Sequence, residues 1–254
     1  MMYSILSSES IKRSPIHLLI SIFVPIFSMA IVGIGFAGNA LGDEIEQTWE
    51  TLLLQMNMVL LFFYPLGITL ICSQLASVDH QANSWKFLLT LPLKKEYVYV
   101  GKLMYAIGYS ALTVGILLVG SILLGIVLNV SPNESIPWVL IVKQTLYPIV
   151  AAFSILSFQL FLSLFFRNQA FPIIVGVVTA IFTYSLLIFP ASVSRWLFWT
   201  YPTLASPLKP VFEDGAFGGV MVAGGTELYL LLGITIGFII SYVGTKWFAT
   251  HDIN

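Results

Sequence analysis

The sequence predicts an all-α membrane protein that crosses the bilayer six times. Of its 254 residues, 58% are hydrophobic and only 9% are charged, whereas about a quarter of a typical soluble domain is charged. The few charges divide the chain into six long uncharged runs, and the basic residues fall mainly between alternate runs. A soluble globule of this composition would expose large apolar areas to water, which argues against a soluble enzyme or a nucleic-acid-binding protein.

The six uncharged runs contain between 18 and 31 residues each. A helix needs about 20 apolar residues to cross a hydrocarbon layer of about 30 Å. The apolar block of the first run is too long for the core of a cleaved signal peptide, which has about 7–15 residues. We therefore predict crossings near residues 16–37, 52–75, 103–128, 138–166, 170–190 and 227–248.

The distribution of charge predicts the orientation. If the N-terminus is cytoplasmic, eight of the 11 basic residues lie in cytoplasmic segments together with four of the 12 acidic residues. The other side then carries three basic and eight acidic residues. Because basic residues in short loops stay on the cytoplasmic side, both termini are predicted to be cytoplasmic.

Residues 195–226 do not fit a crossing, because prolines, glycines and aromatic residues interrupt them. Aromatic rings favour the membrane–water interface, and irregular backbone at membrane depth needs protein or water beside it. We expect an outer hairpin of short helices that re-enters the bundle before the last crossing. An ordinary outer loop is the alternative.

The sequence offers no catalytic, cofactor-binding or metal-binding constellation, so we do not expect an enzyme. His17, His80 and His251 lie far apart, and neither an HExxH nor a GxSxG motif occurs. The phosphate loop GxxxxGK[ST] is absent as well. The single cysteine, Cys72, is interpreted as a small packing residue.

Polar residues within the crossings are candidates for a transport pathway, because such residues line pathways or join helices. One of them is a lysine only five residues past Trp138, and its ammonium group can either snorkel to the headgroups or contact substrate. The candidates are Gln55, Asn57, Lys143, Gln144 and Gln159.

Two stripes of small residues predict close helix packing, within the chain or against a second copy. The first repeats every seven residues, which keeps it on one helix face. The second lies on the last crossing and repeats every three or four residues. Their members are Gly101, Gly108 and Gly115, then Gly233, Gly237, Ser241 and Gly244.

The segment 79–96 between the second and third crossings predicts a short amphipathic helix at the inner membrane face. Trp85, Leu88 and Leu89 have the i, i+3, i+4 spacing of one apolar helix face. Pro92 should end this helix near Leu91. Such a helix can either anchor the protein to the membrane or dock into a groove of a cytosolic partner.

The run SWKFLLTLPLKKEYVYVGK resembles the cytosolic loop of ABC-2-type export permeases, and most of all the lantibiotic-immunity and bacitracin-resistance permeases of Gram-positive bacteria. The N-terminal SSESIKRS and the later WTYPTLASP resemble two further segments of these permeases, and the six-crossing layout is similar throughout. The family often has Glu where Asp79 stands, and more charge near His80. The loop residues that match are Asp79, Trp85, Lys86, Leu91, Pro92, Lys94, Lys95 and Lys102.

The resemblance implies one transmembrane domain over residues 1–254, serving as the permease subunit of an ATP-driven exporter. A separate cytosolic ATPase would bind ATP and magnesium, and a second permease chain would complete the pathway. The cargo would be an antimicrobial peptide or similar amphipathic compound, expelled from the cell membrane of a Gram-positive bacterium.

The resemblance also implies two sets of contact residues on the cytoplasmic side. The loop would form the coupling helix, and the amphipathic segment 1–14 would lie along the inner leaflet. The expected ATPase contacts are Asp79, His80, Trp85, Lys86, Leu89, Pro92, Lys94 and Lys95, and the expected N-terminal contacts are Glu9, Lys12 and Arg13.

A membrane scaffold or sensor subunit without an ATPase is the alternative function. It predicts that changes at Trp85 or Pro92 leave the function intact.

Overall fold

The structure is a computed structural model of the chain, and six long apolar segments follow one another as helices along it. The described residues are 15–39, 47–81, 95–133, 135–185, 191–213 and 216–250. The N-terminal helices are α1 (Pro15–Asn39), α2 (Trp49–Gln81), α3 (Lys95–Val127), α4 (Trp138–Ala151) and α5 (Phe153–Phe165). The remaining helices are α6 (Ala170–Ser185), α7 (Ala191–Ser194), a 3-10 turn (Phe198–Thr200), α8 (Tyr201–Ala205) and α9 (Thr226–Thr250).

Five of these segments are long and apolar enough to cross a membrane, which confirms a helical membrane protein with several crossings. They are α1, α2, α3, the combined α4 and α5, and α9. The fifth predicted crossing corresponds to α6, whose apolar part, Ala170–Thr183, is shorter. Six crossings and the cytoplasmic orientation of both termini remain predictions.

The helices on either side of the predicted coupling segment are longer than the crossings. Helix α2 continues to Gln81, so the backbone of Asp79 and His80 belongs to its last turn. Helix α3 begins at Lys95, eight residues before the predicted start of the crossing. The charged residues at the ends of the predicted crossings indicate where the helices leave the apolar layer. They do not end the helices, because Lys and Glu are good helix formers. Residues 1–14 and 82–94 lie outside the described residues.

The fourth predicted crossing consists of two helices that meet at Ala152. Pro148 has no backbone N–H and therefore weakens the helix at this point. The amide of Ala152 still donates to the carbonyl of Pro148 at 3.0 Å, and the amide of Leu156 donates to Ala152 at 2.9 Å. The regular helix is therefore interrupted at Ala152, where ψ is −2°, and we call this break the kink. The carbonyl of Gln144, which Pro148 leaves without an amide partner, accepts a hydrogen bond from the side chain of Asn57.

The hairpin before the last helix is made of strands, so the prediction of short helices is wrong for this stretch. Strands β1 (Leu208–Glu213) and β2 (Ala216–Val222) pair antiparallel, with an irregularity between Val211 and Phe212. Valine and phenylalanine recur along both arms, and β-branched and aromatic residues favour strands. The short helix α8 precedes the hairpin, and the re-entrant position of the hairpin remains a prediction.

Helix α2 occupies the centre of the bundle, where it packs against α1, α5 and α6 and touches both strands. In its most apolar stretch 61% of the residues are buried, close to the 67% of the combined α4 and α5 and well above the 28% in α1 and 22% in α3. Helix α9 packs on the opposite side, against α4, α5 and α3.

The second small-residue stripe brings α9 close to its neighbours. A Cβ atom on Gly233 would collide with the carbonyl oxygen of Ala151, and one on Gly237 would collide with the ring of Phe153. The hydroxyl groups of Ser241 and Ser157 form a hydrogen bond of 3.0 Å. The kink between α4 and α5 therefore fits directly against the small face of α9.

The first stripe is not used in the same way. Gly101 is buried, but Gly108 and Gly115 are exposed, and a Cβ atom added to either would have none of the described residues within 4 Å. Their face of α3 is uncovered in the single chain.

Substitution of Gly233 by Val should destabilise the bundle by about 1–3 kcal/mol, because the new side chain would meet the backbone of Ala151. Thermal unfolding in detergent measures the change. The matched control is Gly35→Val, which meets open space and should leave stability nearly unchanged, since Val is at least as favourable in a helix as Gly. Equal melting temperatures for both variants would contradict the packing described for α9.

Candidate functional site

The end of the bundle nearest the predicted coupling segment contains a buried lysine. Lys102 lies two turns into α3 and is only 1% exposed. Its Nζ donates to the backbone carbonyl of Leu75, on α2, at 2.6 Å. A buried ammonium group needs such acceptors because its desolvation is costly. The bond joins the helix that leads into the segment 82–94 to the helix that leads out of it.

A tyrosine joins the same region of α3 to the last helix. Tyr99 on α3 is 1% exposed, and its hydroxyl occupies the space that the missing side chain of Gly244 leaves open. Its ring lies 6.1 Å from that of Phe248 on α9. The first turns of α3 are therefore packed against the last turns of α9.

Further contacts at this end complete the cluster. Lys246 of α9 forms an ion pair of 2.9 Å with Glu96 of α3, and the ring of Trp247 lies 4.7 Å from that of Phe165, at the end of α5. The ends of α2, α3, α5 and α9 thus form one packed unit, which we call the loop end of the bundle.

A second polar cluster lies at the opposite end, which we call the hairpin end, and Gln144 is its centre. The side-chain oxygen of Gln144 accepts a hydrogen bond from the amide of Leu208 at 3.0 Å, and its Nε2 donates to Ser206 at 3.0 Å. The hydroxyl of Ser206 also donates to the carbonyl of Leu208, at 2.9 Å. The buried side chain of Gln144 therefore links the beginning of the hairpin to α4 by hydrogen bonds.

The structure brings two of the five candidate pathway residues together. The amide nitrogen of Asn57, on α2, donates to the backbone carbonyl of Gln144 at 3.4 Å. Both side chains are buried, and both line a cavity of about 20 Å³ that also touches Ser121 and Thr145. A volume of roughly 10–15 Å³ is enough for one water molecule, so this part of the interior is polar and able to hold water.

The other three candidates lie elsewhere. Lys143 points to the surface, where it pairs with Glu227 at 3.8 Å and lies 5.8 Å from the ring centre of Tyr147. Gln159 is buried and donates to the carbonyl of Pro172 at 2.7 Å, which links α5 to α6. Gln55 is half-buried on α2. These positions do not form one polar channel with Asn57 and Gln144.

An apolar groove opens between α3, α4, α5 and α9 at the level of the kink. Its volume is about 410 Å³, and its lining is aliphatic and aromatic except for Tyr64 and Ser110. Cavities of about 300–1,000 Å³ with a few polar groups are typical binding sites for small molecules. Tyr64, which reaches the groove from α2, and Ser110 are the lining residues with hydroxyl groups, so the groove can accept an apolar group.

Several residues of these clusters are not evident as site residues from the sequence. The charge of Lys102 suggests a cytoplasmic position, although its spacing of seven residues from Lys95 places it two turns into a helix. Ser206 carries no recognisable signal in the sequence. No group of three or more potential metal ligands occurs within the residues that the structure describes.

Most of the expected partner contacts cannot be placed in the fold. Of the expected ATPase contacts, those on the segment 82–94 fall outside the described residues, and so do the expected N-terminal contacts. They are Trp85, Lys86, Leu89, Pro92 and Lys94, then Glu9, Lys12 and Arg13.

Comparison with known families agrees with this architecture. The family model described as ABC-2 family transporter protein matches residues 9–183, which include the segment 82–94 and every helix from α1 to nearly the end of α6. No curated protein matches the chain. The match covers more than half of the chain, and this chain therefore belongs to the ABC-2 transporter family.

Membership in this family assigns the general role. The chain is a transmembrane permease subunit of an ABC transporter and a multi-pass membrane protein. Permeases of this family associate with an ABC ATPase subunit, and they are membrane transport components that are typically not catalytic themselves.

Substitution of Gln144 by Leu should loosen the hairpin, because it leaves the buried amide of Leu208 without an acceptor. An unsatisfied buried polar group costs about 1–3 kcal/mol. Hydrogen exchange at Leu208 should therefore accelerate by about tenfold or more, measured by mass spectrometry on peptides that cover the hairpin. Gln55→Leu is the control, and unchanged exchange in the Gln144 variant would refute the fastening role.

Proposed function

We propose that this permease exports antimicrobial peptides of the lantibiotic or bacitracin type, or similar amphipathic compounds, from the membrane of a Gram-positive bacterium. Two permease chains would work with a separate ATPase that binds ATP and magnesium. The observation that carries the proposal is the loop end, where buried contacts join α2, α3 and α9 beside the segment that resembles a coupling helix.

The orientation in this proposal has both termini and the loop end in the cytoplasm, with six crossings. It is supported by the excess of basic residues in the segments on that side. The hairpin end would then face outward, and residues 195–226 would lie at the outer membrane surface or dip into it.

Coupling would begin at the segment 79–96. Its short amphipathic helix would dock in a groove of the ATPase, with Trp85 and Leu89 on the docking face and basic residues around them. Closure of the ATPase dimer would displace this segment, and the contact between Lys102 and Leu75 would oblige α2 and α3 to move together. Such rocking of packed helices is a common form of transition between two states.

A second attachment to the ATPase would come from the N-terminal segment. Its expected contacts, Glu9, Lys12 and Arg13, precede α1 directly in the chain. Because α1 packs on α2 and α3, a displacement of this segment would act on the same helices as the coupling loop.

The apolar groove supports an amphipathic cargo. Its lining offers Tyr64 and Ser110 as the polar groups, and α3, α4 and α9 supply aliphatic and aromatic walls. A peptide that partitions into the membrane could place an apolar side chain in the groove without leaving the bilayer. The neighbouring face of α3, uncovered at Gly108 and Gly115, supports close contact with a second permease chain.

Purification of a tagged permease from native membranes in mild detergent should recover a P-loop ATPase at a near-stoichiometric level. Trp85→Ala should keep the permease in the membrane but abolish export, because the apolar anchor of the coupling helix is lost. ATP turnover and export into inverted vesicles are the two readouts, and turnover should no longer depend on added peptide.

The control for this experiment is Trp196→Ala. Trp196 is 82% exposed and lies far along the chain from the coupling segment, so its removal should leave export intact. A permease that purifies without any ATPase, or full export by the Trp85 variant, would reject the coupling proposal and favour the scaffold or sensor alternative.

A larger side chain in the groove should weaken cargo binding without preventing the permease from assembling with the ATPase. Ala111 lines the groove from α3, and Ala111→Phe should lower resistance to bacitracin or to a lantibiotic by about tenfold, since 1.4 kcal/mol of lost binding corresponds to a factor of ten. Growth inhibition measures resistance, and ATPase recovery shows that the complex still assembles. Leu123→Phe, at an exposed position of the same helix, should behave like the wild type. Unchanged resistance in the Ala111 variant would exclude the groove as the cargo site.

A further inference from the structure

Lys209 at the hairpin end is a half-buried cation. It follows Leu208 at the start of β1, and its Nζ donates to the backbone carbonyl of Thr203. Burial lowers the pKa of Lys209 to about 8, because removal from water disfavours the charged form. An anion beside the ammonium group would oppose this effect.

No carboxylate pairs with Lys209 among the described residues. The two ion pairs found there use Lys143 with Glu227 and Lys246 with Glu96. An ammonium group has three hydrogen-bond donors, and the carbonyl of Thr203 takes one of them. Two donors of this half-buried cation are therefore left for another acceptor.

A cavity of about 50 Å³ lies beside this lysine. A cavity needs at least roughly 10–15 Å³ of such space to hold one water molecule, so this cavity has room for more than one oxygen atom. Its polar lining comes from Asn57, Thr183, Thr203 and Ser206, together with Lys209 itself. Leu54, Met58, Leu61 and Pro210 form the apolar wall.

Asn57 provides a second donor to this space. Its Nδ2 carries two hydrogens, and one of them is directed to the carbonyl of Gln144 at 3.4 Å. The other has no acceptor among the described residues, and the side chain of Asn57 lines both this cavity and the smaller one beside Gln144. An ammonium group and an amide donor around a space of this size match a group of several oxygen atoms that carries negative charge.

We propose that this cavity is a binding site for a phosphate group, with Lys209 and Asn57 as its donors. The phosphate can belong to a lipid headgroup or be free in solution. The lipid source fits the surroundings, because the hairpin beside the site exposes Phe212, Met221 and Val222, which are 56%, 50% and 66% exposed. Apolar side chains of this kind favour contact with acyl chains. The site is distinct from the apolar groove and does not depend on the proposed export of peptides.

Native mass spectrometry of the full-length, delipidated permease tests the proposal with three probes: phosphatidylglycerol, diacylglycerol with the same acyl chains, and inorganic phosphate. Phosphatidylglycerol should bind at least about tenfold more tightly than diacylglycerol, as expected for hydrogen bonds to a charged group. Lys209→Met should remove this preference, and Lys209→Arg should restore most of it.

Lys143→Met is the matched control, because Lys143 lies at the same end of the bundle but on the exposed surface. It should change the preference less than about twofold, in line with the small contribution of exposed charges. Binding of inorganic phosphate that depends on Lys209, without a preference for phosphatidylglycerol, would support the site and identify free phosphate as its source.

Two results would overturn the proposal. The first is equal binding of phosphatidylglycerol and diacylglycerol by the wild type with no binding of inorganic phosphate, which decides the question even if the Lys209 variants fail to fold. The second is a folded Lys209→Met variant that keeps the full preference for the phosphate-bearing lipid.

Discussion

The burial of helix α2 is the constraint on which the bundle depends. Helices α1, α5 and α6 all pack on it, and its polar groups must find partners within the protein because the bilayer offers none. Near one end, the side chain of Asn57 donates a hydrogen bond to a carbonyl of α4. Near the other end, the carbonyl of Leu75 accepts a hydrogen bond from the ammonium group of Lys102. The central helix is therefore attached to its neighbours by polar contacts at both ends and by apolar packing between them.

The two ends of the bundle are built differently. At the loop end, aromatic packing and the ammonium group of Lys102 join several helices into one unit. At the hairpin end, the beginning of the hairpin is attached mainly through the side chain of Gln144.

Local sequence features predicted the helical class well, because long uncharged runs and the positions of charges depend only on neighbouring residues. They failed where the outcome depended on distant residues. The hairpin contains prolines and glycines that suggested broken helices, but Phe212 pairs with Phe217 and Leu208 with Val222 across two strands. The charge of Lys102 indicated the aqueous edge, although a carbonyl 27 residues away lets it be buried.

Composition, hydropathy and motifs depend only on residues that are close together in the sequence. They were therefore enough to establish a membrane protein with long apolar helices and to indicate the ABC-2 family. Which polar residues meet, and which small residues are covered, became visible only in the folded bundle. Asn57 reaches Gln144, but Lys143 turns to the surface; Gly233 packs on Ala151, but Gly108 faces open space. The reason is physical: each contact depends on the rotation and spacing of whole helices, and long-range packing sets both.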